Sequence, residues 1–106
     1  MDSIRFEWDE TKNLSNRRKH GVSFEEACQV LRDPLCVSVQ GRIEGGELRW
    51  QTLGLVEGIL LLTVAHTVRE EFEHGTLVEV VRINSRIISA RRATRKERRR
   101  YEDENG

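Results

Sequence analysis

The sequence predicts an α+β protein in which an antiparallel β-sheet packs against two N-terminal helices and a basic C-terminal helix closes the chain. Three observations carry that expectation. Two capping-box spacings, Ser23-x-x-Glu26 and Thr94-x-x-Glu97, mark helix starts near opposite ends of the chain. Between them the hydrophobic period falls to two, the signature of half-buried strands. Helical and strand patterns are thus segregated along the chain rather than alternating, as in α+β architectures.

Taken in order, Ile4-Arg-Phe-Glu-Trp8 alternates apolar and charged residues and opens the fold as a strand. Asp9 is placed to cap a polar helix to about Lys19, with Arg17, Arg18 and Lys19 against its negative end and Gly21 as terminator. Leu14 is its one apolar residue, which predicts weak packing. Ser23 caps a second helix that buries Phe24, Ala27, Cys28 and Leu31 and stops before Pro34. Strands are expected over Leu35 to Val39, Leu48 to Leu55 and Ile59 to Thr67, with Gln40 to Glu47 a connection and Val56-Glu-Gly58 a turn. Arg69 to Thr76 reads as an acidic turn containing His74 and Gly75. A final strand follows from Leu77 to Ala90, with Val81, Ile83, Ser85, Ile87 and Ser89 on one face and Arg82, Asn84, Arg86 and Ile88 on the other. Thr94 then launches the last helix, through Glu104, and the predicted order is β-α-α-β-β-β-β-α.

A length of 106 residues fits a single domain, 1–106, with a modest core, since only 37% of the residues are hydrophobic and 34% are charged. Two cysteines, Cys28 and Cys36, make no disulfide framework. No signal-peptide pattern opens the chain, and the longest apolar run, Ile59 to Ala65, is far short of a bilayer span. The expectation is a cytoplasmic protein with reduced thiols and no membrane partner. Zero net charge hides a strong segregation. Residues 82–100 carry nine Lys/Arg against one acid, while residues 1–81 carry nine against fourteen. A polyanion such as RNA or DNA, or an acidic protein, is the partner such a cluster suits.

Metal chemistry is disfavoured, because His20, His66, His74 and the cysteines show no CxxC, HxxxH or HExxH spacing. No nucleophile elbow or glycine-rich phosphate loop is present either. The remaining pattern suits chemistry at phosphate, which needs a base, an acid and permanent cations forked to match phosphoryl oxygens. Arg49, Arg86, Arg91 and Arg92 come from separate elements and are candidates to converge on one phosphate. His66, at the polar end of an apolar strand, is either the general acid–base or a strand-end histidine satisfied by the backbone. Tyr101 either stacks on a base or pins the last helix to the sheet. Arg95, Lys96, Arg98, Arg99 and Arg100 surround that helix and read as binding rather than chemical residues.

The blocks Phe6 to Asn13, Arg18 to Ala27, Asp33-Pro34, Thr52-Leu-Gly54, His66-Thr67 and Arg86 to Glu102 resemble the BrnT toxins of bacterial type II toxin–antitoxin systems. The resemblance implies a RelE-like fold and a metal-independent endoribonuclease without cofactor that arrests translation. It also implies neutralisation by a BrnA-like ribbon-helix-helix antitoxin, with DNA met only through that antitoxin. Carried over residue by residue, it falls on Arg49, His66, Arg86, Arg91, Arg92 and Tyr101. The chain departs from the usual pattern at 68–85, where a longer hairpin replaces a short turn. A second reading, from charge alone, is a non-catalytic nucleic-acid-binding module or an inactive toxin serving as co-repressor.

Overall fold

The computed structural model describes residues 3–73 and 80–106. The elements follow as β1 (Ser3–Glu7), α1 (Glu10–His20), α2 (Phe24–Val30), β2 (Val37–Glu44), β3 (Glu47–Val56), β4 (Leu60–Thr67), β5 (Arg69–Glu73), β6 (Val80–Arg92) and α3 (Arg95–Asn105). The strands form one sheet in the order β1-β6-β4-β3-β2, and β5 also pairs with β6. Its composition is mixed rather than antiparallel, because β1 lies parallel to β6 from Ser3↔Arg82 to Glu7↔Arg86.

The acidic turn expected at Arg69 to Thr76 is instead strand over Arg69–Glu73, paired antiparallel with Val80–Asn84. Its acidic composition concealed it, for β4 reaches only the 87–92 half of β6 and leaves the other half open to a partner. His74, Gly75 and Thr76, with the start of the predicted final strand, lie outside the described residues. The expected connection after Val39 is likewise mostly strand, since β2 runs on to Glu44 before a two-glycine hairpin.

One sheet face carries α1 and α2. Val22, Phe24, Ala27, Cys28 and Val30 pack there against Val56, Leu62, Val64, Ile87 and Ala90. Val30 and not Leu31 is the buried end of α2, because Leu31 is already its C-cap. Gly54 permits this approach, for a β-carbon there would lie 2.7 Å from the Val30 carbonyl oxygen. The opposite face carries α3 over a smaller cluster of Leu53, Leu61 and Tyr101.

The polar helix α1 is tied down by polar groups. Leu14 is exposed, and α1 instead buries Asn13 and Asn16. Asn13 Oδ1 accepts from Phe24 N at 2.8 Å, while its Nδ2 reaches Glu10 and Glu25 at 3.0 Å each. Asn16 pairs with the Ala90 peptide, donating to its carbonyl at 2.8 Å and accepting from its N–H at 3.2 Å, and also donates to Val22 O at 2.8 Å. Since β1 ends opposite Arg86, Asn16 supplies the partner that no strand offers Ala90. Among the described residues no helix is long and apolar enough to cross a membrane.

Candidate functional site

A single irregularity in β6 arranges the site. Facing β4, Ala65 pairs with Ser89 but His66 pairs with Ile87, so Ile88 is an extra residue and the alternation inverts there. Before the bulge, Ser85 and Ile87 face α1 and α2; after it, Ala90 does. The inversion therefore puts Arg86, Ser89 and Arg91 together on the α3 side, although strict alternation would separate Arg86 from Arg91. On β3 the residues Glu47, Arg49, Gln51 and Leu53 share that side, and on β4 Thr63, Ala65 and Thr67 do. Three of the six anticipated residues, Arg49, Arg86 and Arg91, thus stand over one sheet face, with α3 flanking it.

Each of these arginines already holds a carboxylate. Arg49 Nη1 meets Glu44 at 2.9 Å, Arg86 Nη2 meets Glu47 at 2.9 Å, and Arg91 grips Glu97 with two parallel bonds of 2.7 and 3.0 Å. Glu97 also accepts from Thr94 N at 2.8 Å, closing the α3 capping box. The Arg91 fork holds the Glu97 carboxyl down at about 2, against the opposing effect of burial. The same bonds raise the Arg91 guanidinium above its ordinary value. Arg49 Nε is buried without a hydrogen-bond partner.

The other anticipated residues lie elsewhere. His66 is 4% exposed and faces α1 and α2, on the opposite side of the sheet from the arginines. Its Nε2 is 2.7 Å from Thr52 Oγ1, which lies 2.7 Å from Ser38 Oγ, and its Nδ1 is 3.2 Å from Ser85 Oγ and 3.3 Å from Thr67 O. Because a carbonyl only accepts, Nδ1 carries the proton and Nε2 accepts from Thr52. Burial lowers the His66 pKa, partly offset by the Thr67 carbonyl.

Arg92 pairs with Leu62 and so turns to the α1/α2 side, exposed. Tyr101 is buried, its ring against Leu53 and Leu61 and its hydroxyl donating to Asp33 Oδ2 at 2.7 Å. Burial and then the hydrogen bond to Asp33 push that phenol up to about 12. Arg95, Lys96, Arg98, Arg99 and Arg100 are exposed along α3, outside the face that Glu97 and Tyr101 present to the sheet. Among the described residues no three His, Cys, Asp or Glu side chains cluster as metal ligands.

A family description, "Ribonuclease toxin, BrnT, of type II toxin-antitoxin system", matches residues 8–97, most of the chain. The chain belongs to the BrnT toxin family. The crystal structure of the Brucella abortus ribonuclease toxin BrnT is similar, at 21% identity and a TM-score of 0.51, covering 90% of this chain and 99% of that one. At that identity the likeness shows the shared BrnT fold, an α+β arrangement with a mixed sheet and three helices. No curated protein sequence matches.

Sequence reasoning missed the acidic half of this BrnT face. Glu44, Glu47 and Glu97 read as hairpin and cap residues, and Gln51 as a plain strand residue. The available signal was parity: Glu47, Arg49 and Gln51 recur every second residue on one strand. Nothing comparable announced the Ile88 bulge.

Proposed function

We propose that this chain, one RelE-like domain over 1–106, is the endoribonuclease toxin of a type II toxin–antitoxin pair and acts without metal or cofactor. The observation that carries the reading is the bulge-phased face of Arg49, Arg86 and Arg91. Forked guanidiniums on a shared face suit phosphoryl oxygens, and fixed cations stabilise the charge that develops there. The 2′-oxygen of RNA attacks its neighbouring phosphorus as its proton leaves, the P–O5′ bond breaks, and the 5′-oxygen takes a proton, leaving a cyclic phosphate and a 5′-hydroxyl.

In this reading His66 is a buried fastener of four strands rather than the proton carrier, because it faces away from the arginines. Glu97, held at about 2 by Arg91, is a weak base. Glu44 and Glu47 are the carboxylates left on the face to take the 2′-hydroxyl proton. Arg92 belongs to the opposite surface, and Tyr101 locks α3 in place. The exposed arginines and lysine of α3 hold flanking RNA phosphates or an acidic segment of a BrnA-like ribbon-helix-helix antitoxin, through which alone DNA is met. RNA breakage then arrests translation.

The test is cleavage of RNA by purified protein in a chelator, comparing Arg91→Ala with Arg92→Ala. Loss of one preorganised donor predicts roughly 10²–10³-fold slower cleavage for Arg91→Ala and little change for Arg92→Ala. Equal losses would break the facial assignment; salt-dependent RNA binding without cleavage would make the protein a binding module.

A further inference from the structure

Beside the arginine face the β2–β3 ladder opens. The pairing register shifts between Gln40 and Ile43, so Gly41 and Arg42 bulge out of it. A cavity of about 230 Å³ lies there, walled by Gly41, Arg42, Glu44, Arg49, Gln51 and Ala65. Small residues let its walls and floor come together. A β-carbon at position 41 would sit 2.9 Å from the Arg49 carbonyl oxygen, and Ala65 supplies the least bulky side chain available to a strand floor. Bulges beside a site re-aim side chains or end pairing, and this one does so within a row of the proposed RNA face.

We propose that this cavity receives one nucleobase of the bound RNA; the inference rests on the RNA reading above. The row Gln51–Ala65–Ser89 runs across three strands between the Arg49 row and the Arg91 row. With strands about 4.8 Å apart, the cavity mouth lies roughly 10 Å from Ser89, beside a phosphate held by Arg86 and Arg91. Its chemistry favours a neutral planar group over a second phosphate. The Glu44 carboxylate, 2.9 Å from Arg49, stands in the wall itself, so an anion seated inside the cavity meets a like charge, whereas one on the open face meets the guanidiniums. A base instead offers both donor and acceptor positions to the exposed Gln51 amide. The exposed Arg42 guanidinium is a plane on which a splayed base stacks.

The decisive experiment titrates isotope-labelled protein with each of the four nucleoside 5′-monophosphates and with ribose 5-phosphate, following backbone amide shifts. The nucleotides are expected to move Gly41, Arg42 and Gln51, to different extents for different bases, whereas ribose 5-phosphate moves only the surroundings of Arg86 and Arg91. Ala65→Leu, which fills the floor from the open face, is expected to weaken nucleotide binding roughly tenfold while leaving ribose 5-phosphate binding unchanged. Gln51→Ala gives a second measure and changes the ranking of the four bases. Identical shifts for ribose 5-phosphate and the nucleotides, or unaltered nucleotide binding in Ala65→Leu, overturn the proposal. RNA cleavage by the same preparation is scored separately: cleavage without base-dependent shifts refutes the cavity, and base-dependent shifts without cleavage refute the ribonuclease reading alone.

Discussion

Replacing Glu97 by Gln isolates the energy stored in the fork with Arg91. The native carboxyl titrates at about 2 instead of its ordinary 4.5, and the change belongs to the folded protein alone. A depressed acid stabilises the fold above its unfolded pKa and loses that contribution as pH falls through the folded value. At about 1.4 kcal/mol per unit the full contribution at neutral pH is about 3 kcal/mol. Arg91 is 37% exposed at its side chain, so screening reduces this to about 2 kcal/mol. The amide introduced by Glu97→Gln keeps an oxygen for the Thr94 N–H, which confines the loss to charge and fork. Urea unfolding from pH 7 down to pH 2.5 should therefore show Glu97→Gln less stable by about 2 kcal/mol at neutrality, with the gap closing between pH 4.5 and the acid limit. A difference that stays constant across that range would refute the electrostatic account and leave only shape.

Three further outcomes follow from named contacts. Asn16→Ala orphans the buried Ala90 N–H and C=O and should cost about 2–4 kcal/mol in the same unfolding assay; a loss under about 1 kcal/mol would mean that water replaces the amide. His66 is held neutral by burial, so the unfolded chain binds more protons below about pH 6.5 and stability falls as pH drops through that value. His66→Gln should flatten the slope between pH 7 and pH 5, and an unchanged slope would assign it to other groups. Tyr101→Phe removes the donor to Asp33 but keeps the ring, and denaturant midpoints should register about 1–3 kcal/mol.

Much of the frame was legible because it rests on local chemistry. Asp9, Ser23 and Thr94 cap their helices where the spacings place them, with both halves of each capping box formed at Ser23 and Thr94. What escaped is non-local. The parallel pairing of β1 with β6 joins residues nearly eighty positions apart, and no periodicity carries partner direction. The glutamates of β5 looked like a turn because edge strands tolerate charge. Weak packing was expected of α1 because Leu14 is its one apolar residue, yet Asn13 and Asn16 are its buried side, their amides satisfying backbone groups that would otherwise be orphaned. In the site, the arginines were visible by type. Which of Arg91 and Arg92 joins Arg86 was not, because that choice depends on one unpaired residue.

Ile88 thus acts as a phase marker for the strand. A substitution at Arg86 or Arg91 alters one side chain, but losing a single residue between them would exchange the two sides of everything downstream. Arg92 would arrive where Arg91 stands, Glu97 would lose its fork, and Ala90 would be turned out of the core toward which Asn16 reaches. Length in this segment is therefore under a stricter constraint than identity.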